Sequence, residues 1–123
     1  MKALVANRGI LNQSGNLQSG KSIGKGVKVE EISKPTISDK EILVKVHATA
    51  LNPIDFKFTD FIAPPGSLID CDFAGVVAEA ASRTWKVGDR VGGFVQGGVS
   101  KEHSAFAEYV KAEETSSGGS PTE

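Results

Sequence analysis

Glu41-Ile-Leu-Val-Lys-Val-His-Ala-Thr-Ala50-Leu-Asn-Pro-Ile-Asp-Phe-Lys57 begins as a strand and stops at a proline. Between Glu41 and Ala50, Leu43, Lys45 and His47 share one face and Ile42, Val44 and Val46 the other. That period of two is what a β-strand imposes on its side chains. Pro53 has no backbone N–H for a sheet ladder, but its fixed φ suits the first turn of a helix. A short helix is therefore predicted from Pro53 through Asp60.

The neighbouring segments repeat the β theme. Asp72 to Ala80 is a buried-strand pattern whose Gly75 permits close backbone approach. Lys86 to Asp89 forms a tight turn, Arg90 to Val95 a further strand, and Ala105 to Val110 alternates again. Toward the N-terminus, Ala3 to Ala6 is a short apolar run, and Val27 to Ile32 alternates like a half-buried strand. Lys34 to Asp39 and Ala63 to Gly66 break the chain with prolines. Short strands at this spacing point to a barrel or sandwich.

Composition narrows the function. A chain of 123 residues is read as one domain that buries roughly two-thirds of its unfolded surface. Fourteen Lys plus Arg stand against fifteen Asp plus Glu, so no charge bias favours nucleic acid or an anionic membrane. Cys71 is the single cysteine, which excludes an internal disulfide framework and suits a reducing compartment. With no apolar signal core and no apolar run near the roughly 18 residues of a membrane span, a soluble, cytoplasmic protein is expected.

Gly15-Asn-Leu-Gln-Ser-Gly20-Lys21-Ser22 matches the phosphate-binding loop G-x-x-x-x-G-K-[ST]. That chemistry needs a buried strand immediately before the loop and a helix immediately after it. Here the preceding strand pattern ends near Ala6, and Ile23-Gly-Lys-Gly26 leads into a strand pattern. The match is read as a coincidence within a Gly/Ser-rich loop, Asn7 to Gly26.

Seven segments occur together in order: Met1–Val5, Val29–Pro35, Glu41–Val46, Ala50–Lys57, Pro65–Gly75, Val87–Val91 and Ala105–Tyr109. As a set they resemble the N-terminal, GroES-like domain of the medium-chain dehydrogenase/reductase superfamily. The branch they look most like is that of the zinc-independent quinone oxidoreductases and the fungal ToxD-like, trans-acting enoyl reductases. The resemblance implies a mainly β fold, a GroES-like partly open β-barrel with one or two short helices and no Rossmann domain. It spans residues 1–112, with 7–26 as an inserted loop and 113–123 as a flexible tail.

The resemblance also implies a site. The Asn-Pro-x-Asp-x-Lys stretch of the family lines the cleft beside nicotinamide and substrate, which makes Asn52, Asp55 and Lys57 cofactor-binding candidates. Lys57, Asn52 and Asp72 are the catalytic candidates: Lys57 to polarise a carbonyl or protonate an enolate, Asn52 to hold an amide or carbonyl. A purely structural reading stays open for each, with Asp55 bracing the short helix and Lys57 simply solvated. Asn52 and Asp72 stand at the vacated zinc positions of the zinc-dependent members, and a catalytic zinc needs about three N, S or O ligands. His47 and His103 are isolated, and neighbours in Asp70-Cys71-Asp72 point to opposite strand faces, so no metal is expected.

Because no Gly-rich strand-to-helix turn follows the last strand, this chain by itself is expected to bind no cofactor, whereas the family uses NADPH. It is read as the substrate and catalytic domain of an enoyl or quinone reductase type of oxidoreductase. The alternatives are a cofactor-free cyclase or isomerase acting on a hydrophobic metabolite and a non-catalytic binding module. The expected partners are a small hydrophobic or carbonyl-containing substrate and a homodimer mate or partner protein over the uncovered face. No nucleic acid and no membrane are expected.

Overall fold

The computed structural model describes residues 1–6, 27–55, 57, 66–81, 83–97 and 101–119. The phosphate-loop look-alike and the whole 7–26 loop lie outside the described residues, as do positions 58–60 of the expected helix. Seven strands are described: β1 Lys2–Ala6, β2 Val27–Glu31, β3 Glu41–Ala50, β4 Asp72–Ala80, β5 Arg90–Phe94, β6 Tyr109–Glu113 and β7 Ser117–Gly118. The long alternating run became β3 with its expected limits, and β4 likewise.

All pairings are antiparallel. β1 and β2 form a two-stranded sheet, and the other five are ordered β6-β3-β4-β5-β7. The fold is mainly β and the described sheets do not close into a barrel, as a partly open GroES-like architecture requires. Backbone bonds tie the sheets together: Leu4 N donates to Phe106 O at 2.9 Å, and Ala6 N to Ser67 O at 2.8 Å.

One face of the larger sheet buries Ile42, Val44, Phe73, Val77, Trp85, Val91, Val95 and Val110 in one cluster. Ala3, Val5 and Leu68 form a smaller cluster under β1. The alternation read from Glu41 onward is met in part: Ile42 and Val44 enter the core while Lys45 and His47 are exposed, but Leu43, read on the face of Lys45, is fully buried too. Gly75 is the close-approach position, since a Cβ there would lie 2.0 Å from the Lys45 carbonyl oxygen. Register slips between Leu43 and Val44 and between Val46 and Ala48 twist β3 at that contact.

The tight turn after Trp85 is built as expected. Gly88 has φ +99°, Asp89 N donates to Lys86 O at 3.0 Å, and Asp89 Oδ2 accepts from Lys86 N at 2.9 Å.

Two expectations need correction. The last alternating strand begins at Tyr109, not Ala105, because residues 105–107 are committed to β1 and the 69–70 segment. The flexible tail from Glu113 also starts too early. Glu113 ends β6, a 3-10 turn spans Glu114–Ser116, and β7 pairs with Gly92 and Gly93 of β5. Apolar content missed this segment because its order comes from backbone hydrogen bonds to an open sheet edge, which polar and glycine residues make as well as apolar ones. Trp85 Nε1 adds a bond to Glu114 O at 3.3 Å.

Candidate functional site

The end of β3 sits beside the start of β4, with Ala50 opposite Asp72; on the other side of β4, Asp72 faces Phe94 of β5. The chain leaves β3 at Leu51 and turns at Asn52-Pro53, and positions 53–55 and 57 are helical. Asp55 closes the turn from within. Its N–H donates to Asn52 O at 3.0 Å, and its Oδ2 accepts from Asn52 N at 2.6 Å. The second bond is the returning half of a capping box, satisfying a donor that the helix start would otherwise orphan.

Asn52 is exposed and its amide is fully directed. Nδ2 donates to Asp72 Oδ2 at 2.5 Å and to Ala50 O at 3.1 Å. Both partners are acceptors, so the NH₂ group must point at them and both its hydrogens are used. What Asn52 offers a ligand is therefore its Oδ1 acceptor. Leu51 and Phe94, 72% and 53% exposed, and the exposed Ile54 give this polar pair an apolar rim.

Of the four candidate residues, the structure joins Asn52, Asp55 and Asp72 through hydrogen bonds and places Lys57 exposed on the same short helix. Asp55 is only 7% exposed, and with its bond to Asn52 N this gives it a bracing role. A cleft of about 360 Å³ beside β1 and β3 is lined by residues including Leu4, Val46, Thr49 and Phe106, and by none of the four candidates.

Beneath the turn lies a residue that sequence reasoning treated only as part of a metal-like triplet. Asp70 is 1% exposed and has φ +81°, a conformation that non-glycine residues seldom adopt. Its Oδ1 accepts from Cys71 N at 2.7 Å. Burial, with the nearby Asp55 charge adding to it and the Cys71 N–H opposing it, pushes its carboxyl up to about 6. The Cys71 thiol is also pushed up, first by burial. No local sequence signal marks a buried aspartate with positive φ. The apolar rim was visible only in part, as Leu51 and Ile54 flanking Asn52.

Among the described residues, no group of three or more His, Cys, Asp or Glu side chains is placed to hold a metal ion. No described helix is long and apolar enough to cross a membrane.

The mainly β, open-sheet fold is that of a GroES-like unit. Residues 38–119 match the alcohol dehydrogenase GroES-like domain, and the chain belongs to that family. The trans-enoyl reductase resD of Aspergillus sclerotiorum is 45% identical over 94 residues, covering 72% of this chain and 26% of that protein. The quinone oxidoreductase of Coxiella burnetii superposes with a TM-score of 0.75 at 27% identity, covering 97% of this chain and 36% of that one. The Escherichia coli quinone oxidoreductase, solved in complex with NADPH, has a TM-score of 0.74 at 17% identity, covering 98% and 33%; it speaks for the fold alone. The chain thus spans about a quarter of the curated relative and about a third of the solved structures.

Proposed function

We propose that this chain is the substrate-side, catalytic domain of a zinc-independent, NADPH-dependent reductase acting on an activated C=C bond or a quinone. The observation that carries the reading is the Asn52–Asp72 pair, which turns an amide oxygen outward at an exposed strand end with an apolar rim. A carboxamide N–H is the natural donor to that oxygen, and a flat ring suits the rim of Leu51, Ile54 and Phe94. The residues therefore fit a nicotinamide, which when bound would supply hydride to the substrate.

The chain's own residues do the rest. Asn52 Oδ1 accepts from the carboxamide, and Asp72 keeps the Asn52 amide from rotating. Asp55 holds the turn that carries both Asn52 and the helix of Lys57. Lys57 Nζ donates to the substrate carbonyl oxygen as negative charge develops there, which lowers the barrier to enolate formation. A small hydrophobic or carbonyl-containing compound, cytoplasmic and part of secondary metabolism, is the substrate class this reading takes.

The same pair supports zinc independence. Asn52 presents amide hydrogens to Asp72, so the two side chains satisfy each other in place of a cation. Purified protein is expected to carry far less than one zinc per chain by elemental analysis; about one equivalent would refute this part of the reading.

Among the described residues the short helix already directs its Asn52 N–H to Asp55, and no Gly-rich strand-to-helix turn of the pyrophosphate-binding kind is described. This chain alone is therefore expected to bind NADPH no tighter than about millimolar, roughly 4 kcal/mol. The exposed rim of Leu51, Ile54 and Phe94 is expected to bring a second copy or a partner protein onto it. Calorimetric titration with light scattering on the same sample tests both, and micromolar binding by a clean monomer would reject them.

A further inference from the structure

Strand register sets three rows of residues on the outer face of the larger sheet. Ala50, Asp72 and Phe94 are in register across β3, β4 and β5, then Ala48, Ala74 and Gly92, then Lys45, Val76 and Arg90. Residues two apart on a strand share a face. This face points away from the core: Phe73, Val77 and Val91 between the rows are buried, while Lys45, Ala74, Arg90 and Phe94 are exposed. The slip between Val46 and Ala48 adds one residue to β3, so Lys45 and Ala48 both fall here although they are three apart.

A trough of about 420 Å³ lies over the second and third rows, lined by residues including His47, Ala74, Val76, Arg90, Gly92 and Gly119. Small residues at 74 and 92 leave the room. Gly119 walls it on the β5 side, so close that a Cβ there would lie 2.4 Å from the Arg90 carbonyl oxygen.

The charge around this trough has one sign. No carboxylate is among its described lining residues. The neighbouring acids are engaged elsewhere: Asp89 is buried with its Oδ2 on Lys86 N, Glu79 pairs with Lys34 at 3.4 Å, and Asp72 holds Asn52. Among the described residues neither Lys45 nor Arg90 is in an ion pair. The two flank Val76 from its neighbouring strands, which sets their Cα atoms roughly 10 Å apart. Two long side chains can close on one anion across that span.

We propose that this face binds an apolar chain ending in an anion, a phosphate or a carboxylate. Arg90, Lys45 and His47 hold the head, and the chain lies over Ala74 and Gly92 with its far end on Phe94, roughly 13 Å along the strands. The Arg90 guanidinium donates a planar pair of hydrogen bonds to two oxygens of such a head, and Lys45 adds a point charge. A neutral head finds no match there. The site adjoins the Asn52–Asp72 pair but rests on the sheet face alone, whether or not the reductase reading holds.

The test titrates the ¹⁵N-labelled full chain with decyl phosphate and with decanoate, each below its micelle concentration, beside decyl glucoside and inorganic phosphate. The Val76, Arg90 and Gly92 amides are expected to shift saturably with either decyl anion, which binds at least about tenfold tighter than inorganic phosphate because of its chain. Whichever decyl anion binds tighter identifies the head, and either order supports the proposal. The exposed pair Arg90→Gln and Lys45→Gln, made together, is expected to weaken both decyl anions about tenfold. Should that variant not fold, Gly92→Val fills the floor and leaves the cations, and it is expected to weaken decyl phosphate several-fold while sparing inorganic phosphate. Equal affinity for decyl glucoside, inorganic phosphate as tight as decyl phosphate, unchanged binding in the variants, or shifts confined to residues outside the trough would each overturn the proposal.

Discussion

Gly75→Ala is expected to destabilise the domain by about 3 kcal/mol, the upper part of the range for forcing atoms into a packed site. The added Cβ would lie 2.0 Å from the Lys45 carbonyl oxygen, 2.9 Å from its carbonyl carbon and 3.0 Å from Val44 Cγ1. Two of these are backbone atoms of β3, so relief requires strands β3 and β4 to separate at that contact. The site feels the same change, because the β3–β4 register sets Ala50 opposite Asp72 and so brings Asn52 to it. Gly92→Ala is the control. Its Cβ would meet only the Phe73 carbonyl oxygen at 3.6 Å, an ordinary contact, and the change is expected within about 1 kcal/mol, toward stabilisation. Urea unfolding separates the two by their midpoints. Equal stability of both variants would mean that the close approach at Gly75 does not hold the sheet.

Lys57→Met is expected to lower kcat of the proposed reductase activity about 100-fold, the low end of what a positioned proton donor contributes, with little change in KM. The measurement belongs on a chain that includes a cofactor-binding domain. Methionine keeps much of the length and apolar stem of lysine and removes only the donor, so fold and cofactor contacts survive. Asn52→Ala gives the contrasting pattern: it removes the acceptor of a ground-state contact, so KM for NADPH is expected to rise about tenfold while kcat changes less. If Lys57→Met turns over like the parent, Lys57 is an ordinary solvated lysine, and the proton comes from elsewhere.

The fold was legible where periodicity and chain-breaking residues agree. β3, β4, the turn at Gly88 and the helix start at Pro53 follow from alternation, glycine and proline, which act over a few residues and need no partner to be recognised. Asn52, Asp55 and Lys57 were candidates only through the family resemblance, and the structure sets them on one strand-to-helix junction. Legibility failed where order comes from a partner strand. Ser117 and Gly118 have no apolar pattern, and they are a strand only because β5 leaves an edge open to them.

The chain's local chemistry by itself determined a β-rich domain without a disulfide framework, a junction at Asn52-Pro53, and the residue types available to a site there. Tertiary structure alone decided their roles. The β3–β4 register brought Asp72 within 2.5 Å of Asn52 and turned that amide so that only its oxygen faces outward. Burial made Asp55 a brace and took Asp70, at φ +81°, out of water. No sequence pattern carries that information, because desolvation depends on which distant segments pack over a residue, and the residue itself is the same aspartate anywhere in the chain.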